Sequence, residues 1–460
     1  MKTRATALPR TPIAQAIRAG CGLLCLFFVL VASVDARADR SPELDQRLDA
    51  WLKSELKGLV KTYKHFHANP ELSLEEAETA KRVAKEFRAA GFAVSTGVGG
   101  HGVVGILKNG AGPTVLIRGD TDGLPVTENT GLSYASKVTA RRDDGTTTGV
   151  MHACGHDVHT TNLIGTAQFL AATQDAWSGT LVAIAQPAEE LGRGALAMID
   201  DGLFERIPRP NYTVALHVES SMAAGDVGYT SGWSHANVDS VDITIYGRGG
   251  HGARPHTTVD PIVVSAHLVT QLQTLVSRRV DPLDPAVVTV GSIHGGHKHN
   301  VIPDQVHLQL TVRSYSDEVR NILIDGIRQM ARDTCVAFQC PKAPLVATRD
   351  NYTPAVYADP GLVATAVEVF RDVLGDEHVV ERKPSMGGED FGRYARALEV
   401  PGIMFRLGTI SRESVTASEQ PGASPLPSLH SSLYAPLPEP TLRTGIKTMS
   451  QLVLELFEAK

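Results

Sequence analysis

Cysteine is scarce in this sequence: five residues in 460, with Cys21 and Cys25 near the N-terminus and only Cys154, Cys335 and Cys340 beyond. Three thiols cannot build the dense disulfide framework of small exported domains, so stability has to come from ordinary apolar cores. Cys335 and Cys340 could pair with each other or stay reduced. Cys154 is then left over, and an unpaired thiol needs a chemical reason. Long apolar runs are missing after residue 38, which excludes a membrane-spanning helix from the rest of the chain. Excess positive charge is missing too. Lys and Arg number 44 against 50 Asp and Glu, for a formal net charge of −6, and no basic stripe stands out. That balance argues against a nucleic-acid partner. The sequence also has no phosphate-cradling lysine loop, no H-E-x-x-H helix and no G-x-S-x-G elbow. Gly247-Arg248-Gly249-Gly250-His251-Gly252 matches G-x-G-x-x-G after a predicted strand. However, Ala253-Arg254-Pro255-His256 follows where a dinucleotide-binding helix would have to open.

What is present begins with a distinctive N-terminus. Lys2, Arg4, Arg10 and Arg18 precede an apolar run over 22–34, and Ala36-Arg37-Ala38 follows. A basic head, a short greasy middle and small residues at the end make a signal peptide over 1–38. A retained anchor is the competing reading. The signal predicts a periplasmic or secreted protein whose mature chain starts near Asp39.

Beyond it, hydrophobic spacing predicts a helix from Leu44 to Tyr63 and a second opening at Ser73, with Glu76 completing a capping box. Strands at 103–107, 115–118, 181–185 and 213–216 then alternate with helices at 161–172 and 195–203. That alternation implies an α/β domain with a mostly parallel sheet flanked by helices. From about residue 237 the order becomes strand 238–246, helix 261–276, strands 286–293 and 306–314, helix 317–331 and strand 336–340. This is the ferredoxin-like split pattern of a small α+β domain. The predicted organisation is a signal at 1–38, a catalytic domain in two parts (39–234 and 346–460), and a lid domain at 235–345 inserted between them.

The chemistry concentrates in a few segments. His152-Ala153-Cys154-Gly155-His156-Asp157-Val158-His159 packs thiol, imidazole and carboxylate into eight residues, the favoured donors of zinc and similar divalent ions. The glycine lets Cys154 and His156 approach one ion; a covalent role for Cys154 is the alternative. Glu189 and Glu190 follow a predicted strand and point to opposite sides, so one can hold metal while the other acts as general base. A solvated acidic pair is the bland reading. His217 ends another predicted strand and is a ligand candidate, or else a satisfied core histidine. Asp122, in Arg118-Gly119-Asp120-Thr121-Asp122-Gly123-Leu124-Pro125, suits the outer carboxylate that orients a ligating imidazole, or a plain turn. On the predicted lid, Arg313 offers a bidentate clamp for a substrate carboxylate, with Asn300 nearby.

Together these segments resemble the aminoacylase and hippurate-hydrolase family of co-catalytic metallohydrolases, in the branch that includes the plant auxin-conjugate hydrolases. The resemblance runs from His67-Ala68-Asn69-Pro70-Glu71-Leu72-Ser73 to Leu429-His430-Ser431 and is carried by RGDTDGLP, MHACGHDVH, QPAEE, ALHV, GGHGARPH, NVIP, GGEDF and LHS. It implies that Cys154, His156, Glu190, His217 and His430 bind two divalent ions (zinc, manganese, cobalt or nickel). It further implies Glu189 as general base, Asp122 as the orienting carboxylate and His251 as a histidine reaching over the site. Many relatives carry a histidine ligand where this branch has Asp120. The implied activity is amide hydrolysis of N-acyl amino acids, or dipeptidase or carboxypeptidase action on the same scaffold. The implied assembly is a homodimer through the lid.

Overall fold

The computed structural model describes residues 42–459 apart from Asp143 and Asp350. The predicted signal at 1–38 lies outside the described residues. Among the described residues no helix is long and apolar enough to cross a membrane.

Eight strands form the main sheet, in the order Ala93–Val98, Gly102–Asn109, Gly179–Gln186, Thr114–Asp120, Tyr212–Ala223, Gly402–Ile410, Val227–Tyr229 and Val379–Glu381. The four central strands run parallel, and antiparallel partners extend them on both sides. Near-continuous apolar runs such as Val115, Leu116 and Ile117 suit central strands covered on both faces. Successive side chains alternate between two cores. Val115, Ile117, Val214, Leu216, Ile403 and Phe405 pack under the helices Pro42–Ala68, His156–Ala172 and Pro438–Glu458. Leu116, Ala215 and Met404 face the opposite way, toward Met198, Phe391 and Tyr394. The same alternation turns Arg118, Asp120, His217 and Arg406 onto that second face, at the carboxyl ends of their strands, where α/β sheets place ligands. The doubly covered, mostly parallel sheet is the architecture expected from the sequence.

The second sheet is antiparallel, in the order Ala286–His294, Gln305–Ser314, Asn237–Tyr246 and Leu345–Thr348. Val241, Ile243 and Ile245 alternate inward against Leu268, Leu272, Leu323 and Ile327 of the helices Pro261–Arg278 and Asp317–Ala337. Asp260 and Ser316 cap those helices through the N–H groups of Ile262 and Val319.

Several local expectations are corrected. The strand expected at 336–340 is instead the end of the helix Asp317–Ala337, and the last strand is Leu345–Thr348. Cys335 is buried and Val336 exposed in helical phase, and Gln339 at φ 56° ends the turn. A short apolar run cannot separate these readings. Cys335 and Cys340 are both free thiols. The capping box at Ser73 and Glu76 does not form either, because the helix opens at Ala77 and Glu76 makes no side-chain cap. The first helical turn after the cysteine motif starts at His156 rather than residue 161, which puts that motif on a helix N-terminus.

Candidate metal centre

Cys154 and His156 flank Gly155, which caps the helix His156–Ala172 with φ at 77°. A Cβ on Gly155 would stand 2.7 Å from Val218 Cγ2, so the backbone turns here without room for a side chain. Glu189 and Glu190 follow the strand Gly179–Gln186 through Ala188, itself left-handed at φ 51°. His430 is also left-handed, at φ 66°. Non-glycine residues held there cluster at sites where placement outweighs local strain.

The hydrogen bonds decide which nitrogens are free. His156 Nδ1 lies 3.1 Å from Asp122 Oδ1, so its proton sits toward the carboxylate and Nε2 is left without a partner, fully buried. Asp122 is fully used: its Oδ2 accepts from Ser73 Oγ at 2.6 Å and from the Glu190 N–H at 3.0 Å. His217 Nδ1 donates to the Val218 carbonyl at 2.8 Å, which turns an unprotonated Nε2 toward Cys154 Sγ, 3.6 Å away. Glu190 Oε1 has no hydrogen bond; it stands 3.4 Å from His430 Nε2 and 3.9 Å from His156 Nε2. Glu189 Oε2 is 3.9 Å from the same His156 nitrogen.

Ligand atoms therefore fall into overlapping groups: Cys154, His156 and His217; Cys154, Glu190 and His430; and His156, Glu189 and Glu190, each within 4.8 Å. Cys154 belongs to two of them. A thiol, three imidazoles and a carboxylate, with two buried atoms that make no hydrogen bond, fit divalent cations of borderline softness. His159 has no nitrogen to spare: its Nε2 accepts from the Val218 N–H at 2.9 Å and its Nδ1 meets Asp120 Oδ1 at 2.6 Å. His152 is buried outside these groups, and burial pushes its pKa down to about 4. Asp157 turns away to His67 Nδ1 at 2.7 Å.

Proton affinities follow the crowding. Burial, then the charges of Glu389 and Glu190, raise Glu189 well above the usual carboxylate range. Burial would raise Asp122 as well, but the His156 hydrogen bond and charge overcome it and lower the group. The close Cys154 thiol and the Glu190 carboxylate lift His430 to about 10. Burial and neighbouring cationic groups hold His217 well below its ordinary range.

A cavity of about 660 Å³ opens over these groups, lined by Cys154, Glu189, Glu190, His217 and His430 from one side. Val238 and Arg313 of the second sheet line it from another. Arg313 is held through Thr311 Oγ1 at 3.0 Å and the Met386 carbonyl at 3.4 Å. His251 and Asn300 do not line this cavity. Both are exposed; His251 pairs with Val301 in a two-stranded ribbon, and the Asn300 carbonyl accepts from the Gly252 N–H. Among the cavity residues that sequence reasoning did not single out are His235, Arg406, Arg193 and Arg349. Arg406 carried a signal: it is the single charged residue in the buried strand Gly402–Ile410, where charge is costly.

Comparison with known proteins agrees with this architecture. The profile of peptidase family M20/M25/M40 matches residues 116–430. Thermostable carboxypeptidase 2 of Saccharolobus solfataricus is 35% identical over 355 residues, covering 76% of this chain and 86% of that protein. N-acetyl-L-cysteine deacetylase of Bacillus subtilis is 37% identical over 364 residues, covering 77% of this chain and 80% of that protein. Among solved structures, the Bacillus subtilis YXEP protein, a dinuclear metal binding peptidase from the M20 family, superposes with a TM-score of 0.70 at 26% identity. That match covers 89% of this chain and all of the other.

Proposed function

This chain belongs to peptidase family M20/M25/M40, and from that premise we propose that it hydrolyses the amide bond of N-acyl amino acids or closely related small amides, using two divalent metal ions. The observation that carries the reading is the pair of buried ligand atoms without a hydrogen bond, His156 Nε2 and Glu190 Oε1, beside Glu189. Cys154, His156, Glu190, His217 and His430 would hold the metal. Bound metal supplies Lewis acidity, which lowers the pKa of water and polarises an amide carbonyl.

The chain's own residues do the rest. Glu189 starts as the carboxylate; its proton affinity, raised by burial, lets it take a proton from the attacking water and deliver it to the amide nitrogen as the C–N bond breaks. The hydroxyl stays on the acyl carbon, and the products are a carboxylic acid and an amine. Asp122 fixes the His156 tautomer, and Ser73 fixes Asp122. The deacetylase relative supports an N-acyl amino acid as substrate, and the carboxypeptidase relative supports a peptide as the second reading. Rates on an N-acetyl amino acid and on a dipeptide decide between them. Glu189→Gln is expected to lose about 10²–10⁴-fold in kcat while metal content by elemental analysis stays at the native level. Full activity in that variant would remove Glu189 from the role. The N-terminal pattern over 1–38 separately supports export, and the family resemblance a homodimer through the lid at 235–345, checked by fractionation and light scattering.

A further inference from the structure

Two arginines stand on the same face of the eight-stranded sheet in opposite electrostatic circumstances. Arg118 meets three carboxylates: Asp120 at 2.6 Å, Glu389 at 2.9 Å and Asp390 at 3.2 Å. Arg406 is only 8% exposed, yet it forms no ion pair among the described residues. Its single hydrogen bond there runs to His235 Nε2 at 2.6 Å. A guanidinium only donates, so that nitrogen is an acceptor and the imidazole is neutral. Burial and the neighbouring Arg406 charge likewise hold His235 well below its ordinary protonation range. His235 therefore aims the guanidinium without cancelling its charge. Glu219 and Glu389 act on Arg406 through space, but neither bonds to it.

Buried charges in folded proteins are otherwise paired. Arg406 opens onto the cavity that holds Cys154, Glu189 and His217. In the parallel register its partner on the next strand is His217 itself, so the two backbones are about 5 Å apart. An N-acyl amino acid carries its carboxylate on the carbon next to the scissile nitrogen, so a cation meant for it belongs beside the metal donors. Arg313 also lines the cavity, but it is less buried and already bonds two neutral oxygens.

We propose that Arg406, oriented by His235, is the counter-charge for the free carboxylate of the substrate's amino-acid half and so determines specificity. This rests on the reading of the chain as an N-acyl amino acid hydrolase.

The test compares kcat/KM on an N-acetyl amino acid with kcat/KM on the same compound bearing a primary carboxamide, using the metal-loaded full chain. The native enzyme is expected to prefer the carboxylate by about 100-fold. Arg406→Gln should erase that preference, chiefly through KM on the carboxylate, while kcat/KM on the carboxamide stays within about threefold. Arg313→Gln should keep the preference. A native enzyme indifferent to the exchange, or a preference that survives Arg406→Gln or falls only with Arg313→Gln, overturns the proposal. Should Arg406→Gln not fold, Arg406→Lys carries the test: charge without the fork keeps a reduced preference and a raised KM, and native values there overturn the assignment. Calorimetric binding of the N-acetyl amino acid in a Glu189→Gln background separates the two readings. A native chain that hydrolyses no N-acyl amino acid defeats the proposed function. Binding lost on adding Arg406→Gln still supports the carboxylate contact, and undiminished binding overturns it.

Discussion

Gly155 sits between two metal-donor candidates with φ at 77°, and its missing side chain is filled by Val218 from the neighbouring strand. Gly155→Ala is therefore expected to combine left-handed strain with an overpacked contact, at about 2 kcal/mol of stability. Metal retention on dialysis should fall further than the melting temperature, because Cys154 and His156 lie on either side of the displaced turn. Equal metal retention in the variant would contradict that coupling. Donor types at this scale were readable from the sequence, since sulfur, imidazole and carboxylate in eight residues have few other uses. Which nitrogen each histidine leaves free was not readable. His156 and His159 look equivalent in the motif, and only the partners Asp122, Asp120 and Val218 distinguish them.

Helix ends carry much of the precision. The helix Pro42–Ala68 presents His67 in its last turn, where Nδ1 meets Asp157 at 2.7 Å and Nε2 meets Glu128 at 3.1 Å. Burial would lower the His67 pKa, but hydrogen bonds to Asp157 and Glu128 raise it to about 9. A histidine raised in the folded state stabilises it fully below its unfolded pKa of about 6.5, and the benefit fades as pH climbs through 9. The unfolding free energy from denaturant titrations should thus fall between pH 7 and pH 9.5, by up to about 3 kcal/mol. His67→Gln should flatten that slope, and an unchanged slope would assign it elsewhere. Element types and most core strands were legible from hydrophobic spacing. Ser73 and Glu76 show why some boundaries were not. Both match a helix cap in sequence, but Ser73 Oγ binds Asp122 and Glu76 Oε1 accepts the Ala188 N–H. Tertiary partners near the site outbid the local motif.

Across the whole molecule, the candidate ligands come from positions 154, 156, 190, 217 and 430, so bound cations would tie distant segments together. Ions that bind only the folded chain stabilise it by mass action, about 2.7 kcal/mol at a hundred times Kd. Chelation should then lower the melting temperature and abolish activity together, with re-addition of zinc, manganese, cobalt or nickel restoring both; calorimetry on stripped and reloaded protein reads this. Activity that persists in a metal-free preparation would refute it. The large sheet and the inserted antiparallel one were legible because their hydrophobic rhythms differ. The convergence of Arg406 and His235 was not, because the contact joins positions far apart in the chain.

The strand Gly402–Ile410 lies between Tyr212–Ala223 and Val227–Tyr229, two strands from far earlier in the chain. Ribosomes make those earlier strands first, and they must wait with a gap in the middle until the later one arrives. His430 lies later still. A chain cut short of that strand keeps the candidate donors Cys154, His156, Glu190 and His217 but lacks both the strand beside His217 and His430, and is expected to show no hydrolysis.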